Sequence, residues 1–143
     1  MNLLFLVLSS VLTFASPVWL KDMEQAKKIS KESHKNILLN FSGSDWCGPC
    51  IKLEKEIFGN QVFQEYANQH LVLVNADFPR LKKNKLDQKQ TALNEKLADE
   101  YNKTGAFPLT LLLDADGKLI KRWEGIPAKG AQNFISQLQS ASK

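Results

Sequence analysis

Cysteine is scarce in this chain, with two among 143 residues, and histidine is equally rare. His34 and His70 stand at no ligand spacing from the cysteines, and a structural zinc site needs a closed set of about four ligands. No metal and no cofactor are therefore expected. Nothing interleaves aromatic and basic residues as RNA or DNA binders do. The formal charge of +4 is read as Lys and Glu mixed along solvated helix faces, which argues against nucleic acid as a partner. Internal repeats and interdomain linkers are missing. A chain of this length has room for one domain with a real core and not for two ordinary ones.

Charge is also missing from Met1 to Ala15, a stretch rich in Leu, Val and Phe. It is shorter than the roughly 20 residues of a membrane-spanning helix, which favours the apolar region of a signal peptide. Thr13 and Ala15 supply small residues for cleavage after Ala15. No Lys or Arg precedes the run, a departure from the usual pattern. A buried N-terminal element and an uncleaved anchor are the alternatives. The expected division is a signal peptide over 1–15 and one domain over 16–143, in the periplasm or otherwise outside the cytoplasm. No cysteine stands at the cleavage point to carry a lipid.

What is present follows a regular order. Met23, Ala26, Ile29 and Ser30 fall at helical spacing within Leu20–Lys35. Ile37–Phe41 is a short apolar run, the mark of a buried strand. A helix is expected from the cysteines to about Phe58 and another over Val62–His70. Leu71–Asp77 reads as the second strand. Pro79–Gln90 is lysine-rich and unpatterned, a solvated excursion or a dock for an acidic partner. Leu93, Leu97, Ala98 and Tyr101 mark a helix, Phe107–Leu113 a strand, and Asp114-Ala115-Asp116-Gly117 a hairpin turn into Lys118–Glu124. A last helix carries Ala131, Phe134, Ile135 and Leu138. Such βαβ and ββα units predict an α/β domain with a central mixed sheet and helices on both faces.

The two cysteines stand three apart in Trp46-Cys47-Gly48-Pro49-Cys50, at a strand-to-helix junction. A structural staple is a poor use of this spacing, because so short a loop removes little entropy from the unfolded chain. A redox pair is the better reading. A free thiol, with a pKa of about 8.5, is mostly protonated at neutral pH, and unpaired N–H groups at a helix start favour the thiolate. Cys47 is thus expected to be open and to attack a disulfide, and Cys50, one turn deeper, to resolve the mixed disulfide. Pro49 suits the first helical turn. Gly48 leaves room for a partner chain, and Trp46 is either a wall of the active face or an ordinary core aromatic.

The motif resembles the thioredoxin active site, and Asp77-Phe78-Pro79, Phe107-Pro108 and Asp114–Lys118 extend the resemblance to exported bacterial thioredoxin-like proteins. The resemblance implies a thioredoxin fold and dithiol–disulfide exchange, with catalytic Cys47 and Cys50 in an environment of Asp45, Trp46, Gly48 and Pro49. It also implies that Pro108 follows a cis bond beside the disulfide, leaving the backbone of Phe107 to pair with substrate; the plain alternative is a proline opening an edge strand. The family's buried Asp falls on Asn40 and its Lys on Leu73, so the usual proton relay is missing. Asp45 occupies a solvent-facing position, and Glu54 is a further candidate.

The expected protein is an exported protein-disulfide reductase, acting as a monomer on disulfide-containing proteins and recharged by a membrane-embedded thiol donor. Oxidase or isomerase action and a binding module with an idle dithiol are the alternatives; a peroxidase lacks a peroxide-binding constellation.

Overall fold

The computed structural model describes residues 14–143. The expected signal segment therefore lies, up to Thr13, outside the described residues. At its described end, Phe14 is exposed, and the Ala15 carbonyl accepts a hydrogen bond from Asn68 Nδ2 at 2.7 Å.

Three apolar runs form the middle of a five-stranded sheet. β2 (Asn36–Ser42) lies between β3 (Leu71–Asp77), which is parallel to it, and β4 (Leu109–Leu113), which is antiparallel. β1 (Trp19–Leu20) adds parallel to β3, and β5 (Leu119–Glu124) antiparallel to β4, giving the order β1-β3-β2-β4-β5. Both faces of the central strands are covered, which is why their sequences run apolar without alternation. Ile37, Leu39 and Phe41 join Val72, Val74 and Leu111 on the face packed by α1 (Met23–Ser33) and α4 (Gln88–Tyr101). Leu38, Leu73 and Leu112 face Leu53, Phe63 and Phe134, which belong to α2 (Gly48–Leu53), α3 (Gln61–His70) and α5 (Gly130–Ala141). Full burial of a side chain such as Phe63 or Phe134 contributes about 1.5–3 kcal/mol.

Several boundaries differ from the sequence expectation, each for a local reason. α1 starts at Met23 because Trp19 and Leu20 are taken by β1 and the Asp22 carboxylate caps the N–H groups of Glu24 and Gln25. It ends at Ser33, since His34 turns into the left-handed region with φ 56°. α4 begins at Gln88, earlier than expected, because Asp87 caps it. The helix after the cysteines is α-helical only to Leu53. Glu54–Phe58 then form a π-helical turn, in which the Gly59 N–H reaches back five residues to Glu54 O at 2.7 Å. That extra residue per turn lets both Ile57 and Phe58 enter the core. β4 starts at Leu109 and β5 at Leu119, so Phe107, Pro108 and Lys118 lie outside the ladder.

Candidate active site

Cys47 is the N-cap of α2, with extended backbone (φ −94°, ψ 103°). Its Sγ accepts the Cys50 N–H at 3.3 Å, as a capping side chain accepts from the first turn. Gly48 and Pro49 occupy the exposed first turn, where Pro49 forgoes an N–H that has no helical partner. Cys50 lies one turn in, its Cα 5.2 Å from that of Cys47, and the two sulfurs are joined in a disulfide. Gly43 N–H points at Cys50 Sγ from 3.4 Å. Cys47 is 6% exposed and Cys50 3%. The expectation of an open first sulfur is thus corrected: in the closed disulfide, Cys47 Sγ is bonded to Cys50 and turned over the helix start. What remains open is the space over Gly48, where an added Cβ would meet no atom within 4 Å.

The loop before the cysteines is laced to the segment after β3. Ser44 contributes its N–H and hydroxyl to the Asp77 carboxylate, at 3.0 and 2.6 Å. Asp45 accepts from Arg80 N–H at 2.9 Å, Leu81 N–H at 3.0 Å and Asn84 Nδ2 at 3.0 Å. These bonds, led by that from Arg80, hold its carboxyl below the ordinary value of 3.8. Asp45 therefore anchors a neighbouring segment and does not turn toward the thiol. Trp46 donates from Nε1 to Phe78 O at 2.7 Å and carries the Arg80 guanidinium 3.6 Å above its ring. A Cβ at Gly43 would collide with this indole, so glycine is required there by close approach.

Trp46 and Phe78 each meet Phe107 edge-on at 5.5 Å, making an aromatic wall beside the cysteines. The Phe107–Pro108 peptide is cis, and Pro108 is buried. Among the described residues, Phe107 makes no backbone–backbone hydrogen bond. His34 and His70 stand elsewhere, the first capping α1 and the second against Tyr66 at 4.7 Å.

Beneath the dithiol, on the sheet face shared with α2, Asn40 lies level with Asn75 on one side and Thr110 on the other. Asn40 Nδ2 donates to Asn75 Oδ1 and the Thr110 hydroxyl donates to Asn40 Oδ1, both at 3.1 Å. Leu73 is two pairs removed in the register, opposite Leu38 and on the same face. The partner of Asn40 is thus Asn75, which reading the strands separately did not reveal. The available signal was a polar residue in the middle of each buried run. A pocket of about 450 Å³ opens beside this ladder, lined by Asn75, Ser42, Cys50, Glu54, Lys55 and Trp19. Glu54 keeps solvent contact, but its partial burial raises its carboxyl above the ordinary 4.5.

Residues 23–141 match the family model described as a thioredoxin-like domain. The chain is 40% identical over 119 residues to the disulfide bond reductase DsbH of Chlamydia pneumoniae, covering 83% of this chain and 69% of that protein. The thioredoxin-related protein DsbJ of the same organism is 32% identical over 109 residues, which span 75% of this chain and 30% of DsbJ. A solved structure of a DsbH oxidoreductase superposes with a TM-score of 0.80 at 36% identity, over 90% of this chain and 85% of that one. The chain belongs to the thioredoxin-like family and is a thiol–disulfide oxidoreductase with the thioredoxin fold.

Proposed function

We propose that this oxidoreductase works as a reductase of protein disulfides outside the cytoplasm, with Cys47 attacking and Cys50 resolving. The observation that carries the reading is the placement of Cys47 as the cap of α2, its sulfur receiving the Cys50 N–H. A thiolate at Cys47 would gain from that donor and from the positive end of the helix. The 40%-identical relative, named a disulfide bond reductase, supports the direction. The charge-free stretch Met1–Ala15 supports export and cleavage after Ala15.

In the forward step the Cys47 thiolate attacks one sulfur of the substrate disulfide. The S–S bond breaks, a mixed disulfide forms, and the other substrate sulfur leaves as a thiolate that takes up a proton. Cys50, deprotonated, then attacks Cys47 Sγ and releases the second substrate thiol. Two electrons have passed to the substrate, and the Cys47–Cys50 disulfide is closed. A membrane-embedded thiol donor would restore the dithiol. Phe107, with its backbone free of β4, would pair with an extended substrate segment, next to Pro108. Asn40 cannot exchange a proton at neutral pH. Glu54 is the carboxyl that lines the pocket with Cys50, and its raised pKa suits it to accept the Cys50 proton.

Reduction of insulin disulfides tests the reading. Cys47→Ser is expected to abolish it, and Cys50→Ser to trap mixed disulfides visible by mass spectrometry. Activity retained in Cys47→Ser would end the proposal. The low exposure of Cys47 favours one rival, a binding module whose dithiol is idle. Alkylation of the reduced protein at pH 6 separates the two, since an idle pair would react no faster than a model thiol.

A further inference from the structure

The positive excess of this chain is confined to one segment. Arg80, Lys82, Lys83, Lys85 and Lys89 stand there against a single acid, Asp87. Taking these five and one from the chain's 19 cations and 15 acids leaves fourteen of each sign, so the net +4 is the charge of this segment alone. The expectation that the charge is spread along solvated helices is corrected accordingly. All five cations are exposed, and among the described residues none has a carboxylate within 4.0 Å. Asp87 is engaged as the cap of α4.

The segment is also held still and held close. The three hydrogen bonds that the Asp45 carboxylate accepts fix the backbone of Arg80 and Leu81 and the side chain of Asn84. The 3₁₀ turn Lys82–Asn84 follows directly. Arg80 rests on the indole of Trp46, the residue that precedes Cys47. A partner bound at the dithiol therefore meets a strip of cations whose backbone needs no ordering on binding, which lowers the entropic cost of contact.

We infer that the strip from Arg80 to Lys89 recognises acidic polypeptide segments flanking the substrate's disulfide. The inference rests on the reading of Cys47–Cys50 as an exchanging dithiol. At physiological salt the Debye length is about 8 Å, so the strip acts on charges within a few residues of the reacting sulfur. Steering by such a patch raises encounter rates by about tenfold or more.

The test uses the full chain, reduced beforehand, and two synthetic disulfide peptides that differ only in three flanking Asp or Asn residues. In low salt the acidic peptide is expected to react about tenfold faster in a single turnover, with the preference collapsing in high salt. K82Q/K83Q/K85Q should lose most of that preference while reacting with the neutral peptide at the parent rate. K28Q/K96Q/K143Q removes the same charge elsewhere and should keep it. Equal rates on the two peptides, or equal loss in both variants, would overturn the inference. So would binding to phosphatidylglycerol vesicles without any peptide preference, which assigns the strip to a lipid surface. Failure to reduce even the neutral peptide would instead overturn the reading of the dithiol, a distinguishable result.

Discussion

Arg80 and Trp46 are stacked, the guanidinium 3.6 Å above the indole, next to Asp77 and Ser44, a pair of the same clamp that stands 33 residues apart in the chain. Stacking of this kind contributes about 0.5–1 kcal/mol at an exposed site. More important, it makes a single body of the loop that carries Cys47 and the segment that follows β3.

Asp45 is the hinge pin of that body. Its carboxyl pKa is lowered, above all by the Arg80 N–H, so its contribution is fully present above the ordinary 3.8 and is lost as pH falls through the lower folded value. Asp45→Ala should speed amide exchange at Arg80 and Leu81 at neutral pH, and the parent should show the same loosening only in strong acid. Unchanged protection of both amides in the variant would contradict the clamp.

Gly43 has no room for a side chain, because the Trp46 ring occupies the place of its Cβ. Gly43→Ala must displace a large ring held by Phe78 and Phe107, an overpacking that costs about 1–3 kcal/mol. Urea unfolding at neutral pH measures this. A midpoint equal to the parent's would show that the wall yields freely.

Asn40→Asp restores the acid that the family places under the dithiol. Asn40 is 4% exposed, and its neighbours Asn75 and Thr110 carry no charge to favour the anion, so the new carboxyl should have a raised pKa. Stability is then lost as pH rises from about 4 through the folded value. The variant should match the parent near pH 4, fall below it by about 1–3 kcal/mol near pH 8, and exchange disulfides faster. Identical stability at both pH values would mean that the ladder already accommodates charge.

Glu54 also has a raised pKa, because of its partial burial. Its carboxyl is held protonated longer in the folded than in the unfolded chain, so stability falls as pH rises from the ordinary 4.5 through the folded value. Glu54→Gln should remove that slope and leave the variant at least as stable as the parent at pH 7. It should also remove the mildly acidic limb from the pH profile of the resolving step. A profile unchanged in shape would exclude Glu54 as the proton acceptor of Cys50.

Much of this protein is written locally. The apolar runs Ile37–Phe41 and Leu71–Asp77, the turn Asp114–Gly117 and the Cys47–Cys50 spacing each act through neighbours a few residues away, so the α/β layering and the redox pair were legible from residue order. Helix ends were less so. Asp22 and Asp87 cap only because each takes up extended backbone at the start of its helix, with its carboxylate on first-turn N–H groups. The π-helical turn at Glu54–Phe58 answers to the core that Ile57 and Phe58 must both reach.

Residue order therefore set the chemistry, a dithiol where a strand meets a helix, and three-dimensional packing set its surroundings. The Asn40–Asn75–Thr110 ladder depends on strand register, since a shift of one residue turns each side chain to the opposite face. Asp45 faces Arg80 instead of the thiol because unpaired backbone N–H groups 35 and 36 residues away satisfy its carboxylate. Such pairings join groups remote in the chain. They exist only once the sheet has brought β2 and β3 side by side.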